Sequence, residues 1–417
     1  MTKPVDVVVV GAGPYGLSVA AHLRECGADV RVFGAPMQTW RQSMPVGMSL
    51  KSEGFASNLS DPGRTLTLGA YCAQHNIPYA DTGIPVPVNV FAAYGKAFQE
   101  RFIPDLVQKK VMSIGPASHG FDLRTEDDDI VAARRVVVAS GIRSYDYIPP
   151  ELQGLPRQYL SHSVEYGDAA HLTGLDVLVV GAGSSATDMA AHLRLRGANT
   201  RIVTRRKAIT FQSPLGERSL LEKIKAPMTG LGPGWKSVLC VKAPLLFHVM
   251  PEAFRIDVVR RYLGPAPAWF VRSEVEGHVP YTLQSQIMGS EVVGDRVSLV
   301  LRGPDGTGHR VTGNHVVAAT GYRVDVDRLT FLDPGIRNGL RLAGRAPALS
   351  NHFESSMPGL YFVGTAAANS FGPMLRFVYG ADFAARRLAG HLALQLRRRS
   401  VMETRHGGAQ VSAEPTA

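Results

Sequence analysis

The chain has little cysteine and no two cysteines close enough in sequence to form a redox or metal motif. Only Cys26, Cys72 and Cys240 occur among its 417 residues, and none lies in a CxxC pattern. This spacing excludes dithiol exchange within one short motif and also excludes a zinc knuckle. Widely spaced, unpaired cysteines are typical of a reducing compartment, so we expect a cytoplasmic protein.

Long apolar runs and several catalytic signatures are also missing. No apolar run approaches the roughly 20 residues that a membrane-spanning helix needs. The valine run at residues 7–10 leads into glycines rather than into a cleavage-like site. The patterns GxSxG, HExxH and GK[ST] do not occur, which argues against several classes of hydrolase and kinase. We therefore expect no membrane partner and no bound metal.

The net charge does not predict a nucleic-acid partner, and the length allows more than one domain. The chain has 45 Lys and Arg against 35 Asp and Glu, a net charge of +10. These basic residues are scattered rather than gathered in one stripe, so they do not predict a nucleic-acid surface. The length is sufficient for two or more domains, because single cores stop growing at about 250–300 residues.

Two glycine-rich turns are the most informative features that the sequence does contain. GAGPYG at residues 11–16 and GAGSSA at residues 181–186 each follow a valine-rich run and open a helix-like stretch. Small residues let the backbone approach a pyrophosphate closely, and the amides at a helix N-terminus hold its charge. Two such turns predict that two dinucleotides bind. The candidate binding residues are Gly11, Gly13, Pro14, Tyr15 and Gly16 in the first turn, and Gly181, Gly183, Ser184 and Ser185 in the second.

The chain also repeats one plan of strand, helix and strand around each turn. The first copy is expected at Asp6–Val10, Tyr15–Glu25 and Asp29–Phe33, and the second at Asp176–Val180, Ser185–Leu195 and Thr200–Thr204. Later strands end alike, in VVVASG at residues 136–141 and VVAATG at residues 316–321. The repeat predicts an α/β fold with two Rossmann-like dinucleotide-binding domains, the second inserted in the first. The expected bounds are 1–150 and 323–400 for the two parts of the first domain, 151–322 for the second, and 401–417 for a disordered tail.

The last third of the chain is expected to return to the first domain. Leu360–Val363 predicts a strand, Gly364–Gly372 a loop, and Pro373–Leu396 one long amphipathic helix with proline in its first turn. The N-terminal dipole of that helix would stabilise negative charge on a reduced ring.

A segment at about residues 211–286 remains as an insertion rich in Pro, Gly and aromatic residues. It would serve either as a substrate pocket or lid, or as a subdomain whose rings pack its own core; we favour the core because aromatic residues usually serve packing. The rings in question are Trp235, Phe247, Phe254, Tyr262, Trp269 and Phe270.

The strand after each turn carries a clue to which dinucleotide binds. Arg205, Arg206 and Lys207 stand where an NAD-dependent enzyme places an acidic residue on the ribose. A guanidinium at this position can pair with a 2′-phosphate, which favours NADPH over NADH. In the first copy Gly34 occupies the position of the acid, so backbone groups or residues 37–41 would have to hold that adenosine.

The order of these segments resembles a known family. GAGPYG, GAGSSATD, AATGY at residues 318–322 and YFVGTAAANSFGP at residues 361–373 are similar to the flavoproteins with two dinucleotide-binding domains. The resemblance is strongest to NADPH-dependent flavin monooxygenases, which include amine- and sulfide-oxidising enzymes and the lysine or ornithine N-hydroxylases. It spans nearly the whole chain.

The resemblance implies an enzyme that binds FAD in the first domain and NADPH in the second. A C4a-(hydro)peroxyflavin would transfer one oxygen atom from molecular oxygen to a small amine or sulfide. Asn58, in SNLSDP, looks like the asparagine that lies beside the flavin and nicotinamide, and it is the candidate catalytic residue; its alternative role is to cap the turn before Asp61. Further cofactor-binding residues implied by the resemblance are Trp40, Thr320, Gly321, Gly364, Gly372 and Pro373.

The chain departs from the family pattern in several places. In the fingerprint FxGxxxHxxxY, His162 and Tyr166 match, whereas Pro156 and Gln158 replace the Phe and the Gly. Tyrosine rather than tryptophan at Tyr166 disfavours the Baeyer-Villiger subclass. Thr365 replaces the aspartate of a glycine-aspartate pair, and the acid that precedes ATGY in N-hydroxylases is replaced at Asn314.

Two other functions remain open from the sequence. One is an NADPH-dependent flavoprotein reductase that passes electrons to a quinone or a protein, and the other is a non-enzymatic flavin redox sensor. The sequence does not decide the substrate or whether the chain forms a homo-oligomer. His162, His248 and His352 are each expected to be structural.

Overall fold

A computed structural model of the chain describes residues 3–167, 169–214, 218–262, 264 and 266–410, of which 398–410 are described as backbone only. The first unit begins with the predicted strand, helix and strand and continues with further elements up to residue 138. Its strands are β1 (Val7–Val10), β2 (Val30–Phe33), β3 (Val111–Ala117), β4 (Gly120–Thr125), β5 (Ile130–Ala133) and β6 (Val136–Val138), and its helices are α1 (Pro14–Glu25), α2 (Gln38–Gln42), α3 (Leu68–Gln74) and α4 (Val88–Phe102).

The second unit repeats the plan and then adds the insertion and an antiparallel sheet. Its strands are β7 (Leu160–His162), β8 (Asp176–Val180), β9 (Asn199–Val203), β10 (Tyr281–Thr282), β11 (Gln286–Val293), β12 (Arg296–Arg302), β13 (Gly308–Gly313) and β14 (His315–Ala318). Its helices are α5 (Ser184–Leu195), α6 (Leu220–Lys225), α7 (Trp235–Lys242), α8 (Pro244–His248), α9 (Glu252–Arg261) and α10 (Arg272–Val275). The last segment contains α11 (Pro334–Gly339), β15 (Leu342–Ala343), β16 (Ala346–Pro347), β17 (Leu360–Phe362), α12 (Ala368–Phe371) and α13 (Ala381–Gln410).

Two parallel sheets organise the molecule. The first has the order β17-β6-β1-β2, and the second has the order β10-β9-β8-β14-β7. Because β17 comes from residues 360–362, the first sheet contains strands from both sides of the second in sequence, which is the nested α/β arrangement that the repeat predicts. The domain bounds given above stay a prediction.

The strands form where they do because both faces of each sheet are covered. Parallel sheets buried on two faces read as continuous apolar runs, and the valines of β1 are buried at three of four positions. In the second sheet the side chains alternate between two apolar clusters: Val177 and Val179 of β8 face one, and Leu178 and Val180 face the other. Helix α1 packs along α13, so the C-terminal helix covers the first sheet.

The long helix does not begin at Pro373, which corrects the prediction. Residues Pro373–Arg376 form a 3₁₀ turn, Phe377 is extended, and α13 begins only at Ala381 after a second 3₁₀ turn. The predicted loop at residues 364–372 is also wrong, because it contains a 3₁₀ turn and α12. The helix is interrupted where Phe377 is extended, and there the 375 and 377 carbonyls accept hydrogen bonds from a tyrosine hydroxyl.

The expected disordered tail is partly helical. Helix α13 continues to Gln410, because no proline interrupts the chain before Pro415 and each added helical residue needs no new nucleation. The rest of the predicted tail, residues 411–417, lies outside the described residues.

The insertion does not bury its aromatic rings in a core of its own, contrary to our expectation. None of the six rings is buried, and Trp235 and Phe254 are exposed. Its buried residues Leu231 and Cys240 belong instead to the core of the first unit. Among the described residues, no helix is long and apolar enough to span a bilayer, and no group of three or more His, Cys, Asp or Glu side chains is arranged to hold a metal ion.

Candidate functional site

The first glycine turn is shaped by close backbone contacts. Gly11 has φ +116°, and a Cβ at this position would lie 2.2 Å from the carbonyl oxygen of Ala139. A Cβ on Gly16 would lie 1.8 Å from the carbonyl oxygen of Gly11. Gly13 differs, since nothing lies within 4 Å of the place of its Cβ. Two glycines therefore make the turn possible, and the third leaves an open face that a phosphate can approach.

Helix α1 begins at this open face without a side-chain cap. Gly13 is the N-cap residue, Pro14 follows it, and the N-cap makes no side-chain hydrogen bond to the first turn. The dipole and the amides of the first turn are therefore available to an anion.

The second turn reproduces the first almost contact for contact. Gly181 has φ +148°, and a Cβ there would lie 2.4 Å from the carbonyl oxygen of Ala319, the counterpart of Ala139. Its N–H donates to Val203 over 3.0 Å, as the Gly11 N–H donates to Phe33 over 2.8 Å. Gly183 caps α5, again without a side-chain hydrogen bond.

An acidic side chain lies beside the second turn. The Ser184 hydroxyl donates to Asp188 Oδ2 over 3.1 Å, and Ser185 follows in the first turn of α5. Burial raises the pKa of Asp188 to about 7, opposed by the bond from Ser184 and by the positive charge of Lys51. Burial likewise lowers the pKa of Lys51. Lys51 belongs to the first unit, so the two units face each other at the second turn.

The basic residues after β9 are placed as the sequence predicted. Arg205, Arg206 and Lys207 are exposed and follow the carboxyl end of this strand. Main-chain bonds hold the segment, since the Arg206 N–H donates to Thr204 Oγ1 over 3.2 Å and its carbonyl accepts from Gln284 over 2.9 Å. The side chains are thus free to meet a phosphate, and the assignment of that role stays a prediction.

Backbone groups shape the segment after β2, where the sequence predicts that an adenosine lies. Gly34 has φ +127° directly after β2, and its N–H donates to Val107. Met37, in the left-handed region, donates to the carbonyl of Ala12 inside the glycine turn. Trp40 is half-buried on α2 and meets Phe91 edge-on at 4.8 Å. Trp40 therefore braces the segment beside the turn, and its contact with a cofactor is not tested by these distances.

Asn58 holds the SNLSDP segment through both ends of its side chain. Its Nδ2 donates to the carbonyl of Phe55 over 2.9 Å, and its Oδ1 accepts from the Leu68 N–H over 2.7 Å. Asp61, rather than Asn58, caps the following turn by accepting from Thr65 and Leu66. The catalytic role of Asn58 stays a prediction; one amide hydrogen of Nδ2 remains beyond the bond to Phe55.

A buried chain of polar groups that sequence reasoning missed fixes the same segment. The Ser60 hydroxyl donates to Asp382 Oδ1 over 2.7 Å and accepts from His22 Nε2 over 2.9 Å, while its main-chain N–H donates to Ser18. Burial, followed by the charge of Arg386, lowers the pKa of His22 to about 4. Ser60 thus joins α1 to the first turn of α13, and no local sequence pattern signals this contact.

The turn between β17 and α13 is held by Tyr15. The Tyr15 hydroxyl lies 3.0 Å from the carbonyl oxygen of Leu375 and 2.7 Å from that of Phe377, and it donates to them. Gly364 has φ +72°, and a Cβ there would lie 3.4 Å from the Tyr15 ring. Gly372, at φ +95°, leads into Pro373 and lies against the Phe247 ring in the same way. The first glycine turn therefore lies close to Gly364 and Gly372.

Thr320 and Gly321 link the two units. The Thr320 hydroxyl donates to the carbonyl of Tyr147, and the Tyr147 N–H donates to Gly321 over 3.0 Å. The Gly321 carbonyl also lies 3.0 Å from His162 Nε2. These contacts give Thr320 and Gly321 a structural role where the chain passes between the two units. Their contact with a cofactor stays a prediction.

The fingerprint residue Tyr166 is part of a buried cluster in the second unit. Its hydroxyl lies 3.0 Å from His315 Nε2, which also lies 2.7 Å from Ser161 Oγ. His315 Nδ1 lies 3.2 Å from the carbonyl of Gln158, which places the ring proton on Nδ1 and makes Nε2 the acceptor. Ser161, Tyr166 and His315 are all buried, so we interpret this cluster as part of the packing of the second unit.

The insertion packs on the turn that follows α12. His248 stacks on Phe371 at 5.0 Å, and its Nδ1 lies 3.2 Å from the carbonyl of Ser370. Arg376 donates to the carbonyls of Val259 and Tyr262 over 3.0 and 3.1 Å. The insertion thus covers residues 370–376, which adjoin Gly364 and Tyr15. No local sequence pattern predicts this docking.

The family follows from a comparison with known proteins. Residues 5–225, which carry both glycine turns and the basic end of β9, match the model described as "Pyridine nucleotide-disulphide oxidoreductase". The chain belongs to the pyridine nucleotide-disulphide oxidoreductase family. Its three cysteines are free, and none lies near another in sequence, so this member lacks a CxxC dithiol.

The chain is also similar to curated relatives and, in fold, to solved structures. An uncharacterized oxidoreductase, CzcO, of Bacillus velezensis is 26% identical over 228 residues, which are 52% of this chain and 59% of the relative. The chain therefore spans little more than half the length of this relative. An L-ornithine N(5)-monooxygenase of Ajellomyces capsulatus is 25% identical over 367 residues, 76% of this chain and 74% of that one. The fold is similar to that of the ornithine hydroxylase PvdA of Pseudomonas aeruginosa, with a TM-score of 0.71, 16% identity and coverage of 94% of this chain and 100% of that chain.

Proposed function

We propose that this chain is an FAD-dependent, NADPH-reduced monooxygenase that transfers one oxygen atom to the nitrogen of a small amine or the sulphur of a sulfide. The observation that carries the proposal is the pair of matched glycine turns, each with an uncapped helix start, in a chain without a CxxC dithiol. If two dinucleotides bind and no CxxC dithiol is present, the electrons from NADPH would pass to oxygen or to an external acceptor.

FAD is assigned to the first turn and NADPH to the second. The open face at Gly13 and the uncapped start of α1 suit a pyrophosphate. The second turn has the same construction and adds the exposed Arg205 and Arg206, whose guanidinium groups suit a 2′-phosphate. When bound, FAD would accept a hydride from NADPH and activate molecular oxygen for transfer.

The residues of the chain would bind and position rather than act as strong acids or bases. Tyr15 would hold residues 375–377 beside the first turn, and Ser60 would hold the Asn58 segment against α1 and α13. The remaining amide hydrogen of Asn58 would donate to an oxygen atom at the reacting centre. The insertion, docked on residues 370–376, would exclude water from that centre.

The substrate class rests on resemblance and on one relative. Of the two relatives described above, the L-ornithine N(5)-monooxygenase aligns over the larger share of this chain. The sequence pattern itself is also similar to amine- and sulfide-oxidising flavin monooxygenases. We therefore propose a nucleophilic nitrogen or sulphur atom as the oxygen acceptor and do not specify the compound.

The test is a substrate panel on the purified, FAD-loaded protein. NADPH oxidation and hydrogen peroxide release are measured for a set of amines and sulfides in ¹⁸O₂, with products analysed by mass spectrometry. We expect one class to accelerate NADPH oxidation, suppress peroxide and gain one labelled oxygen atom. A protein that remains colourless after reconstitution with FAD would refute the proposal.

The alternative is an NADPH-dependent flavoprotein reductase, which membership of an oxidoreductase family fits equally well. It predicts rapid reduction of a quinone or protein carrier with no labelled oxygen in any product. The same experiment therefore separates the two functions by the fate of ¹⁸O.

A further inference from the structure

The insertion leaves an unusual number of large apolar side chains in solvent. In the part of the chain that the structure describes, nineteen large hydrophobic side chains are exposed, and nine of them lie between residues 220 and 254. Exposed apolar clusters of this kind mark interaction sites. The nine are Leu220, Leu221, Ile224, Trp235, Leu239, Leu245, Leu246, Val249 and Phe254.

Helix α6 has no buried residue at all. Leu220 is 80% exposed and Ile224 is 67% exposed. These two residues are four apart and therefore lie on the same side of the helix. Ser219 and Glu222 form a capping box at the N-terminus of the helix, so hydrogen bonds hold this end and prevent fraying.

Helix α7 is anchored on one side and apolar on the other. Ser237 and Cys240 are buried, and Cys240 joins the core of the first unit. Trp235, 62% exposed, and Leu239 lie one helical turn apart on the outer side, and α7 contacts α8, which exposes Leu246. The outward apolar side is thus held in place by a buried anchor.

Positive charge surrounds these apolar residues. Between residues 218 and 261 the sequence has eight Lys or Arg and three Asp or Glu. Four lysines of α6 and α7 are exposed, and the Glu222 carboxylate is occupied by Ser219. The four are Lys223, Lys225, Lys236 and Lys242.

We propose that the exposed apolar and basic side chains of α6, α7 and α8, which we call the basic apolar face, dock on the surface of an anionic lipid bilayer. Amphipathic helices that combine Lys with Trp, Leu and Ile lie in the membrane interface, and each nearby Lys adds to the attraction of anionic headgroups. A second copy of this chain fits the face less well, because an isologous contact would set one net positive face against another. The attachment is to the surface only, and it departs from the sequence expectation that no membrane is involved.

The test is co-sedimentation of the FAD-loaded, full-length protein with vesicles of phosphatidylcholine alone or mixed with phosphatidylglycerol. We expect binding to the mixed vesicles at low salt, and about tenfold or more weaker binding on pure phosphatidylcholine or at high salt. The assay measures attachment and not turnover, so its outcome is independent of the proposed monooxygenase activity.

Two variants and their matched controls locate the surface. Leu221→Ser, Ile224→Ser and Trp235→Ser together, or Lys223→Glu and Lys236→Glu together, should each reduce binding to the mixed vesicles about tenfold or more. The apolar control is Val46→Ser, Ile130→Ser and Leu195→Ser, which are exposed to a similar degree elsewhere, and the charge control is Arg31→Glu with Arg302→Glu.

Three outcomes would overturn the proposal. The first is absence of binding to mixed vesicles at low salt, and the second is equal loss in the variants and their controls. The third is a stable dimer by light scattering that the apolar variant abolishes, which would identify a second copy as the occupant of the face.

Discussion

The hydroxyl of Tyr15 donates to the main-chain carbonyl of Phe377 over 2.7 Å, and so joins the first glycine turn to a segment 362 residues later in the chain. A second carbonyl, that of Leu375, shares this donor. Burial raises the pKa of the Tyr15 hydroxyl well above its usual range, so it remains a donor at any physiological pH.

Replacing Tyr15 with phenylalanine tests this link. Tyr15→Phe should lower the free energy of unfolding by about 1–3 kcal/mol, because the Leu375 and Phe377 carbonyls both lose a hydrogen bond from the tyrosine hydroxyl. It should also weaken FAD binding. Urea unfolding and flavin fluorescence titration measure the two effects. Tyr79→Phe is the control, since its hydroxyl bonds only to the exposed Asp81; equal losses in both variants would contradict the role of Tyr15.

The glycines of the first turn are predicted to separate folding from cofactor binding. Gly11→Ala should destabilise the protein, because its Cβ would meet the Ala139 carbonyl at 2.2 Å. Gly13→Ala should leave the free energy of unfolding of the apoprotein within about 0.5 kcal/mol and still weaken FAD binding, since its Cβ enters the open face. Thermal unfolding of apoprotein and FAD titration check this. Loss of stability in Gly13→Ala would show that its side of the turn is not open.

The basic residues after β9 are predicted to select the phosphate of NADPH. The double variant Arg205→Ala, Arg206→Ala removes charge-assisted hydrogen bonds worth about 1.5–3 kcal/mol each. The KM for NADPH should therefore rise by at least about tenfold, with little change for NADH. Steady-state kinetics with both nucleotides measure this, and Arg157→Ala, whose side chain is 91% exposed in the same unit, is the control. Equal effects on NADPH and NADH would refute the assignment.

Asp188 is predicted to make both stability and NADPH affinity depend on pH. Its pKa is raised from 3.8 to about 7 by burial, so its contribution to stability is complete below pH 4 and is lost as pH rises through 7. Above that pH the carboxylate would also repel nucleotide phosphates. Asp188→Asn should therefore match the wild type near pH 4 and exceed it at pH 8 by at least about 1.4 kcal/mol, the value of one pKa unit.

Urea unfolding and NADPH titration between pH 4 and 8 measure the two effects of Asp188. Asp176→Asn is the control, because hydrogen bonds from Arg296 and Asn199 lower the pKa of Asp176. This substitution should change the pH dependence of stability in the opposite direction. If the Asp188→Asn protein showed the same pH dependence as the wild type, a different group would be responsible.

The sequence predicted the elements whose signals are local. The strands β1, β2, β8 and β9 and the helices α1 and α5 lie within one or two residues of their predicted bounds. Valine runs, apolar periodicity and glycine spacing are properties of short segments, so they could be read from the sequence. The nested order of the two sheets also followed, since the repeat and the late strand β17 were visible in the chain.

The sequence could not predict contacts between distant segments. The predicted helix from Pro373 was wrong, since the chain is extended at Phe377. The hydroxyl of Tyr15, far away in the chain, bonds to the carbonyls of this segment. Asn58 and Asp61 looked alike as turn residues, and only the structure shows that Asp61 caps the turn while Asn58 bonds to Phe55 and Leu68.

The amino-acid sequence by itself determined that this protein has two dinucleotide turns. Each turn has its glycines, the valine run before it and the helix after it in one short segment of the chain. Only the tertiary structure decided how the SNLSDP segment, the Tyr15 turn and the insertion come together, because these contacts join residues tens to hundreds of positions apart. Hydrogen bonds such as that from Ser60 to Asp382 form only once the sheets and helices have packed together. No local sequence pattern therefore predicts them.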